Sequence, residues 1–375
     1  MSPAPFRFYE FFAGGGMARL GLGPAWTCAF ANDFDPVKAQ AYRANFPDAP
    51  GHFLEGDVWR LEAGDLPGQA DLAWASSPCQ DFSLAGSRAG LGGGRSSAFF
   101  GFWRLIEALA SEGRAPELVV IENVVGLLSS RDGADFAALG LALARQGYCF
   151  GALEIDAACL LPQSRPRVFV VASRRPAPPS LVGASPFHSR AVRAAHAALP
   201  PDLAPAWTWW GLPAPLRANA TLESLLEPDE AVAWHAPERT QRLLALMSPS
   251  HRARLQAQAG RAVGAVYRRT RIEGGRRVQR AEVRFDGLAG CLRTPRGGSS
   301  RQAILAVDDG RVRSRLITPR EAARLMGLPD SYRLPGAATA ALHVTGDGVA
   351  TPVVRWLAAG LLEPLLARPA VLAAE

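Results

Sequence analysis

Ala75-Ser76-Ser77-Pro78-Cys79-Gln80-Asp81-Phe82-Ser83 is the stretch on which the fold turns. It follows the short apolar run Asp71-Leu72-Ala73-Trp74-Ala75, which reads as a buried strand. Pro78 stops that strand and turns the chain. Cys79 then falls at the carboxyl edge of a sheet, where open α/β folds place their chemistry. A lone cysteine is usually core filler. The motifs on either side shift that balance.

Upstream, Phe6 to Phe12 reads as a strand running into Ala13-Gly14-Gly15-Gly16-Met17, a glycine turn that opens a helix. Thr27 to Ala31 is a second strand, ending in Asn32-Asp33-Phe34-Asp35. An acid at that strand end suits a ribose diol, and Phe34 suits stacking on a purine. After a helix from Pro36 to Asn45, Leu54-Glu55-Gly56-Asp57-Val58 is a third strand end carrying an acid. A glycine turn followed by acids on successive strands points to a nucleoside ligand.

Downstream, Ser83 to Ser97 is rich in Gly, Ser and Arg and reads as a loop, in function a lid. A helix from Ala98 to Ala110 leads to Glu117-Leu118-Val119-Val120-Ile121-Glu122-Asn123-Val124, a buried strand with Glu122 at its tip. A carboxyl between Ile121 and Val124 is expected to have a raised pKa. A helix (Ala134 to Gln146) and a strand (Cys149 to Asp156) precede Gln163-Ser164-Arg165-Pro166-Arg167. Two arginines two apart point to one side of a strand and suit an anion or a polar base edge.

From Arg175 to about Arg315 the texture changes. The segment opens Pro-rich, carries Trp207, Trp209 and Trp210, and reads as a smaller, loop-rich domain with short strands. The formal charge of the whole chain is +7, and Lys38 is its single lysine. Between Arg239 and Arg315 stand 18 arginines against five acids, a net +13, which leaves −6 for the remainder. A split of that size points to a region built to meet phosphates. Order then returns with Thr318-Pro319-Arg320-Glu321, a helix start, and Gly346-Asp347-Gly348-Val349-Ala350-Thr351-Pro352, a glycine turn before an apolar helix.

Other classes are set aside on composition. The five cysteines form no CxxC pair and are odd in number, which favours a reduced, intracellular protein. No apolar run approaches a membrane span, and no signal pattern opens the chain. A cytoplasmic, monomeric protein is expected.

The set FAGGG, NDFD, EGDV, PCQDFS, IENV, QSRPR, TPREAARLMGLPDSY and GDGVATP resembles the DNA cytosine-5 methyltransferases, in that family's order. The match covers roughly residues 6–175 and 316–362. It implies an α/β fold: a Rossmann-like S-adenosylmethionine-dependent methyltransferase domain, with a mixed seven-stranded sheet and helices on both faces, plus a smaller target-recognition domain. Residues 1–175 would form the first part of the catalytic domain, 176–315 the target-recognition domain, and 316–375 the return to the catalytic domain. Three departures stand out. Met17 replaces a glycine of the first motif, Asp33 a glutamate, and Asp347 an asparagine.

The resemblance implies methyl transfer from S-adenosyl-L-methionine to carbon 5 of a flipped-out cytosine in double-stranded DNA, with S-adenosylhomocysteine as the other product. Cys79, Glu122, Arg165 and Arg167 are the expected catalytic residues. Phe12, Ala13, Gly14, Gly15, Gly16, Asp33, Phe34, Asp57, Val58, Pro78, Gly348 and Val349 would hold the cofactor. Gln80, Ser83, Arg88, Arg95, Gln163, Arg268, Arg269, Arg293, Arg296, Gly297, Gly298 and Ser299 would meet DNA. No metal is required. A restriction endonuclease is the implied partner of a bacterial or phage-encoded enzyme of this kind. The rival readings are a tRNA cytosine-5 methyltransferase on the same scaffold and a silent sequence-specific DNA-binding protein.

Overall fold

The apolar runs become strands close to the expected bounds in the computed structural model, which describes residues 5–77, 98–216, 220–294 and 301–367. Pro78, Cys79, Gln80, Ser83, Arg88, Arg95, Arg296, Gly297, Gly298 and Ser299 lie outside the described residues, as does the expected lid from Ser83 to Ser97. The chain divides into two compact units, 1–155 with 166–215 and 353–375, and 156–165 with 216–352.

The first unit is built on seven strands: β1 (Phe6–Phe11), β2 (Trp26–Asp33), β3 (Phe53–Glu55), β4 (Leu72–Ala75), β5 (Leu118–Asn123), β6 (Cys149–Asp156) and β7 (Pro166–Ser173). Their order is β3-β2-β1-β4-β5-β7-β6. β1 lies parallel to both β2 and β4, so the chain order reverses beside it. Doubly wound sheets bind ligands at such a reversal, outside the carboxyl ends of the strands. β5 is parallel to β4 but antiparallel to β7, with Glu122 opposite Phe169 and Asn123 opposite Val168. All six residues of β5 are buried, as a strand covered on both faces requires. Phe11, Phe99, Phe102, Ile106, Ile121 and Val170 belong to the large core against which the sheet packs.

The segment 176–215, expected in the recognition domain, belongs to this first unit. Its tryptophans explain why. Trp207 bridges to Phe150 at the backbone, and fully buried Trp210 donates its indole N–H to the Val171 carbonyl at 2.9 Å. Proline-rich texture had masked an anchor to β6 and β7.

The second unit carries a four-stranded antiparallel sheet in place of the expected short strands. It comprises β8 (Ala262–Glu273), β9 (Arg276–Arg284), β10 (Ala303–Asp308) and β11 (Arg311–Leu316), in the order β11-β10-β8-β9. β8 runs for 12 residues, yet its last six are exposed. A strand exposed on both faces shows no apolar alternation, which is why its length was hidden. Val266, Ala281, Val283 and Leu305 form a small core with Met247, packed by Leu243 of the helix Pro237–Ala245 and by Leu246, which caps that helix.

The helix Pro319–Leu325 begins as expected, with Thr318 and Glu321 forming a reciprocal capping box. The second glycine turn is shorter than expected. Gly346 and Asp347 close the helix Ala338–Asp347, Gly348 is extended at φ −72° and ψ 172°, and the next helix begins at Thr351. The helical stretch Ala338–Leu366 is long and apolar enough to cross a membrane by length and composition. It corrects the expectation that no such run exists. The extended backbone at Gly348 interrupts it, and 61% of its most apolar window is buried in the protein.

Candidate active site

β1 delivers the chain to the glycine turn in a constrained shape. Phe12 adopts φ 57°, rare for a residue with a side chain, and Gly14 and Gly16 follow at φ 57° and 76°. A Cβ on Gly16 would stand 2.2 Å from the Phe46 ring, so only glycine fits. The Ala13 N–H donates to the Asn32 carbonyl at 2.9 Å. The Gly14 N–H donates to Asp33 Oδ2 at 2.8 Å, and the Asp35 N–H to Asp33 Oδ1 at 2.9 Å. Asp33 therefore ties the glycine turn to the end of β2. Burial pushes its pKa up, while Lys38 and these two amides pull it down.

Beside it Phe34 is 66% exposed, an unusual state for a phenyl ring on a structured segment. The Asn32 amide donates to the carbonyls of Leu54 and Gly56, each at 2.9 Å, and holds the end of β3 alongside. Asp57 caps a short turn by accepting from the Trp59 N–H at 3.0 Å, and Val58 is buried. Phe12 to Gly16, Asp33, Phe34, Asp57 and Val58 are thus all in the first unit.

Beneath the turn lies Glu10, which the sequence reading passed over. It is buried on β1, and its Oε1 accepts the Arg19 backbone N–H at 3.2 Å. Its Oε2 has no hydrogen-bond partner among the described residues. Burial pushes its pKa up to about 8. Arg19 in turn reaches Asp48 at 2.6 Å and the Tyr42 hydroxyl at 3.2 Å, fixing the helix Met17–Leu22 that follows the turn. The signal was an acid inside an otherwise apolar strand.

A second cluster stands at the junction of β4, β5 and β7. Glu122 is buried at the carboxyl end of β5, and its Oε1 lies 3.2 Å from Arg167 Nε. Asn123, also unremarked in the sequence, donates its amide N–H to the Ser77 carbonyl at 3.0 Å. The Trp74 indole N–H donates to Ser76 Oγ at 3.0 Å. The two residues before Pro78 are thereby held from both sides.

Among the described residues, Arg165 and Arg167 engage different partners, the first backbone carbonyls and the second Glu122. Arg165 is 2% exposed. Its guanidinium donates to the carbonyls of Leu292 at 3.0 Å, Gly346 at 2.8 Å and Gly348 at 2.7 Å, all in the second unit. A side chain so engaged clamps backbone. Gln163, expected to meet DNA, is also fully buried. Its amide nitrogen donates to the Leu325 carbonyl at 2.6 Å and its oxygen accepts from the Leu292 N–H at 3.1 Å. It cannot reach a duplex from there.

Gly346 lets two backbones meet, since a Cβ on it would lie 2.9 Å from the Arg293 carbonyl carbon. Asp347 pairs with Thr294 through one oxygen and lies 3.1 Å from His343 Nε2 through the other. Val349 is buried, while Arg268, Arg269 and Arg293 are exposed.

The family model for C-5 cytosine-specific DNA methylase matches residues 6–363. The Type II methyltransferase M.HhaI of Haemophilus parahaemolyticus is 25% identical over 365 residues, 97% of this chain and 96% of that protein. M.BsuFI of Bacillus subtilis is 34% identical over 166 residues, which are 44% of this chain and 38% of that protein. Among solved structures, the Dnmt2 methyltransferase of S. pombe shares the fold at a TM-score of 0.61 and 18% identity, covering 96% of this chain and 100% of that one. With the match spanning nearly its whole length, the chain belongs to the C-5 cytosine-specific DNA methylase family and is a DNA (cytosine-5-)-methyltransferase.

Proposed function

We propose that the protein methylates carbon 5 of a flipped-out cytosine within a specific double-stranded DNA sequence, through a transient bond between Cys79 and carbon 6. The observation that carries this reading is the side-by-side placement of Glu122 and Arg167, Oε1 to Nε 3.2 Å, at the β5 end beside the residues leading to Cys79. A cytosine ring offers an amine, an acceptor nitrogen and an acceptor oxygen along one edge. A carboxyl can meet the amine and ring nitrogen 3, and a guanidinium can meet O2.

Addition of the Cys79 thiolate to carbon 6 makes carbon 5 nucleophilic. Glu122 assists by hydrogen bonding or proton donation at nitrogen 3. Once carbon 5 carries the methyl group, loss of its proton expels Cys79 and leaves 5-methylcytosine. Extruding the base from the duplex costs a few kcal/mol. Arg165 supports the reaction at a distance, by fixing backbone.

S-adenosyl-L-methionine supplies an electrophilic methyl group when bound. The first unit fits its nucleoside end: exposed Phe34 offers a stacking face, and each Asp33 oxygen, accepting one amide, has capacity for a ribose hydroxyl. The chain would act on cytoplasmic DNA with a restriction endonuclease as its counterpart, as the Type II names of its relatives suggest.

The test is trapping. Duplex oligonucleotides carrying 5-fluorocytosine at the methylated position, incubated with cofactor, should become covalently linked to the wild-type protein and not to Cys79→Ser. Wild-type protein that methylates but never traps would sink the covalent route. Methylation of tRNA in preference to plasmid DNA would sink the substrate assignment.

A further inference from the structure

β8 and β9 form a ribbon closed by Gly274 and Gly275, at φ 53° and 75°. Positive φ at both positions is what a tight two-residue hairpin needs. Registered pairs share a face, so Val266 with Val283, Arg268 with Ala281, Thr270 with Gln279, and Ile272 with Arg277 line one side. Near the base that side is core, through Val266, Ala281 and Val283. Beyond Ala281 it emerges into solvent.

The two faces of the emergent half carry the same net charge, +2, and differ in how their arginines are paired. On the other face, Arg269 and Arg271 both pair with Glu282 and Arg280 pairs with Glu273, which leaves Arg276, at the turn, as that face's one arginine outside an ion pair among the described residues. The paired cations are spent within the protein. On the first face, no carboxylate among the described residues pairs with Arg268 or Arg277. Between them stand Thr270 and Gln279, directly opposed and exposed, and Ile272, 77% exposed near the tip. At the foot of the same face is a hollow of about 420 Å³, rimmed by Arg239, Arg242, Arg268 and Arg301 over a floor that includes Leu246 and Val266.

We infer that this face of the ribbon, rather than its more arginine-rich reverse, reads the DNA. The inference rests on the proposed action on a specific duplex. A major groove roughly 12 Å wide admits a two-stranded ribbon. Thr270 and Gln279 hydrogen bond to base edges there, a glutamine amide matching adenine's paired donor and acceptor. Ile272 makes the apolar contact. Arg268 and Arg277 bracket them on phosphates, and the arginine-rimmed hollow receives the adjoining backbone. Of the two ribbon arginines expected to meet DNA, Arg268 does so and Arg269 serves the fold.

The experiment measures DNA affinity against salt and, separately, the sequences methylated in a randomised plasmid library. Arg268→Ala and Arg277→Ala should each flatten the logarithmic salt slope by about 0.9. The charge-neutral pair Glu273→Gln with Arg280→Gln should leave it unchanged. Thr270→Ala with Gln279→Ala should keep the slope but broaden the sequences bound and methylated at one or two positions. A flattened slope in the charge-neutral pair, or an unaltered sequence preference in the Thr270 and Gln279 pair, overturns the inference. Affinity and sequence selection by binding need no methyl transfer. An inactive wild-type protein would therefore defeat the reaction proposed above and leave the ribbon to be judged on binding.

Discussion

Arg167 on β7 reaches diagonally across to Glu122 on β5 and sets its Nε 3.2 Å from the carboxylate. Both side chains are largely shielded, 16% and 8% exposed, so the pair is an interior one. On the reading proposed above, this interior carboxyl and guanidinium would exchange their mutual contact for the edge of the cytosine ring.

Glu122→Gln should lower single-turnover methyl transfer by about 10²–10⁴-fold, the usual worth of general acid–base help. Arg167→Lys keeps the charge but loses the planar fork, and should fall between that variant and wild type. Both should bind DNA as wild type does. Rapid-quench kinetics with labelled cofactor measure this, and an undiminished rate for Glu122→Gln would remove the carboxyl from the chemistry.

Asn123→Ala strips the Ser77 carbonyl of its side-chain donor. A buried acceptor left unmet costs about 1–3 kcal/mol, which a denaturant titration should detect. Methyl transfer should fall with cofactor affinity unchanged, because the approach to Cys79 is loosened and the glycine turn is not. Equal losses in transfer and cofactor binding would point to general damage.

Glu10 gives the fold a pH dependence. Its folded pKa is raised from the ordinary 4.5 to about 8, first by burial and last by nearby Asp33. Between those values the unfolded chain has released the proton and the folded one has kept it, so the acid's contribution to stability shrinks as pH rises. Glu10→Gln cannot ionise. Its stability relative to wild type should improve from pH 5 to pH 8, by at most roughly 1.4 kcal/mol per pH unit. Thermal melts at the two pH values give the answer, and a gap that stays constant would refute it.

Arg315 and Glu321 are 2% and 1% exposed and joined by two hydrogen bonds, 2.8 and 2.6 Å. Arg315→Ala leaves the buried carboxylate without its cation, held only by the Thr318 and Glu227 N–H groups, at a cost of about 3–5 kcal/mol. Arg315→Met with Glu321→Gln, which removes both charges but keeps an acceptor for those amides, should recover most of that loss. Chemical unfolding of the three variants tests the ordering, and a double variant no better than the single one would contradict it.

The strands and helices of the first unit were legible because nearly all carry a period or an end signal. Pro36 to Asn45 and Cys149 to Asp156 come out with the bounds read from sequence. Glu122 was legible as an acid on an apolar strand tip. Its partner was not, since spacing alone made Arg165 and Arg167 equivalent. Which of them faces Glu122 depends on a strand reversal that local sequence does not encode. Gln163 looked like a DNA contact for a similar reason: a polar residue in a motif gives no sign that Leu292 and Leu325 will consume its amide. Glu10 and Asn123 were passed over because a single polar residue in a strand normally reads as an edge.

The reversed direction of β7 has a consequence for how the reactive groups are assembled. β5 arrives at the rim that holds Glu122 with its last residues, whereas β7 departs from that rim with its first. A side chain at the beginning of one segment thus stands beside one at the close of another, although 44 positions separate Glu122 from Arg167 along the chain. Had β7 run with its neighbours, its eight residues at roughly 3.3 Å each would have carried the guanidinium to the opposite rim, on the order of 25 Å away. A loop would then have had to bring it back, and the rigidity of a paired strand would be lost to the reaction.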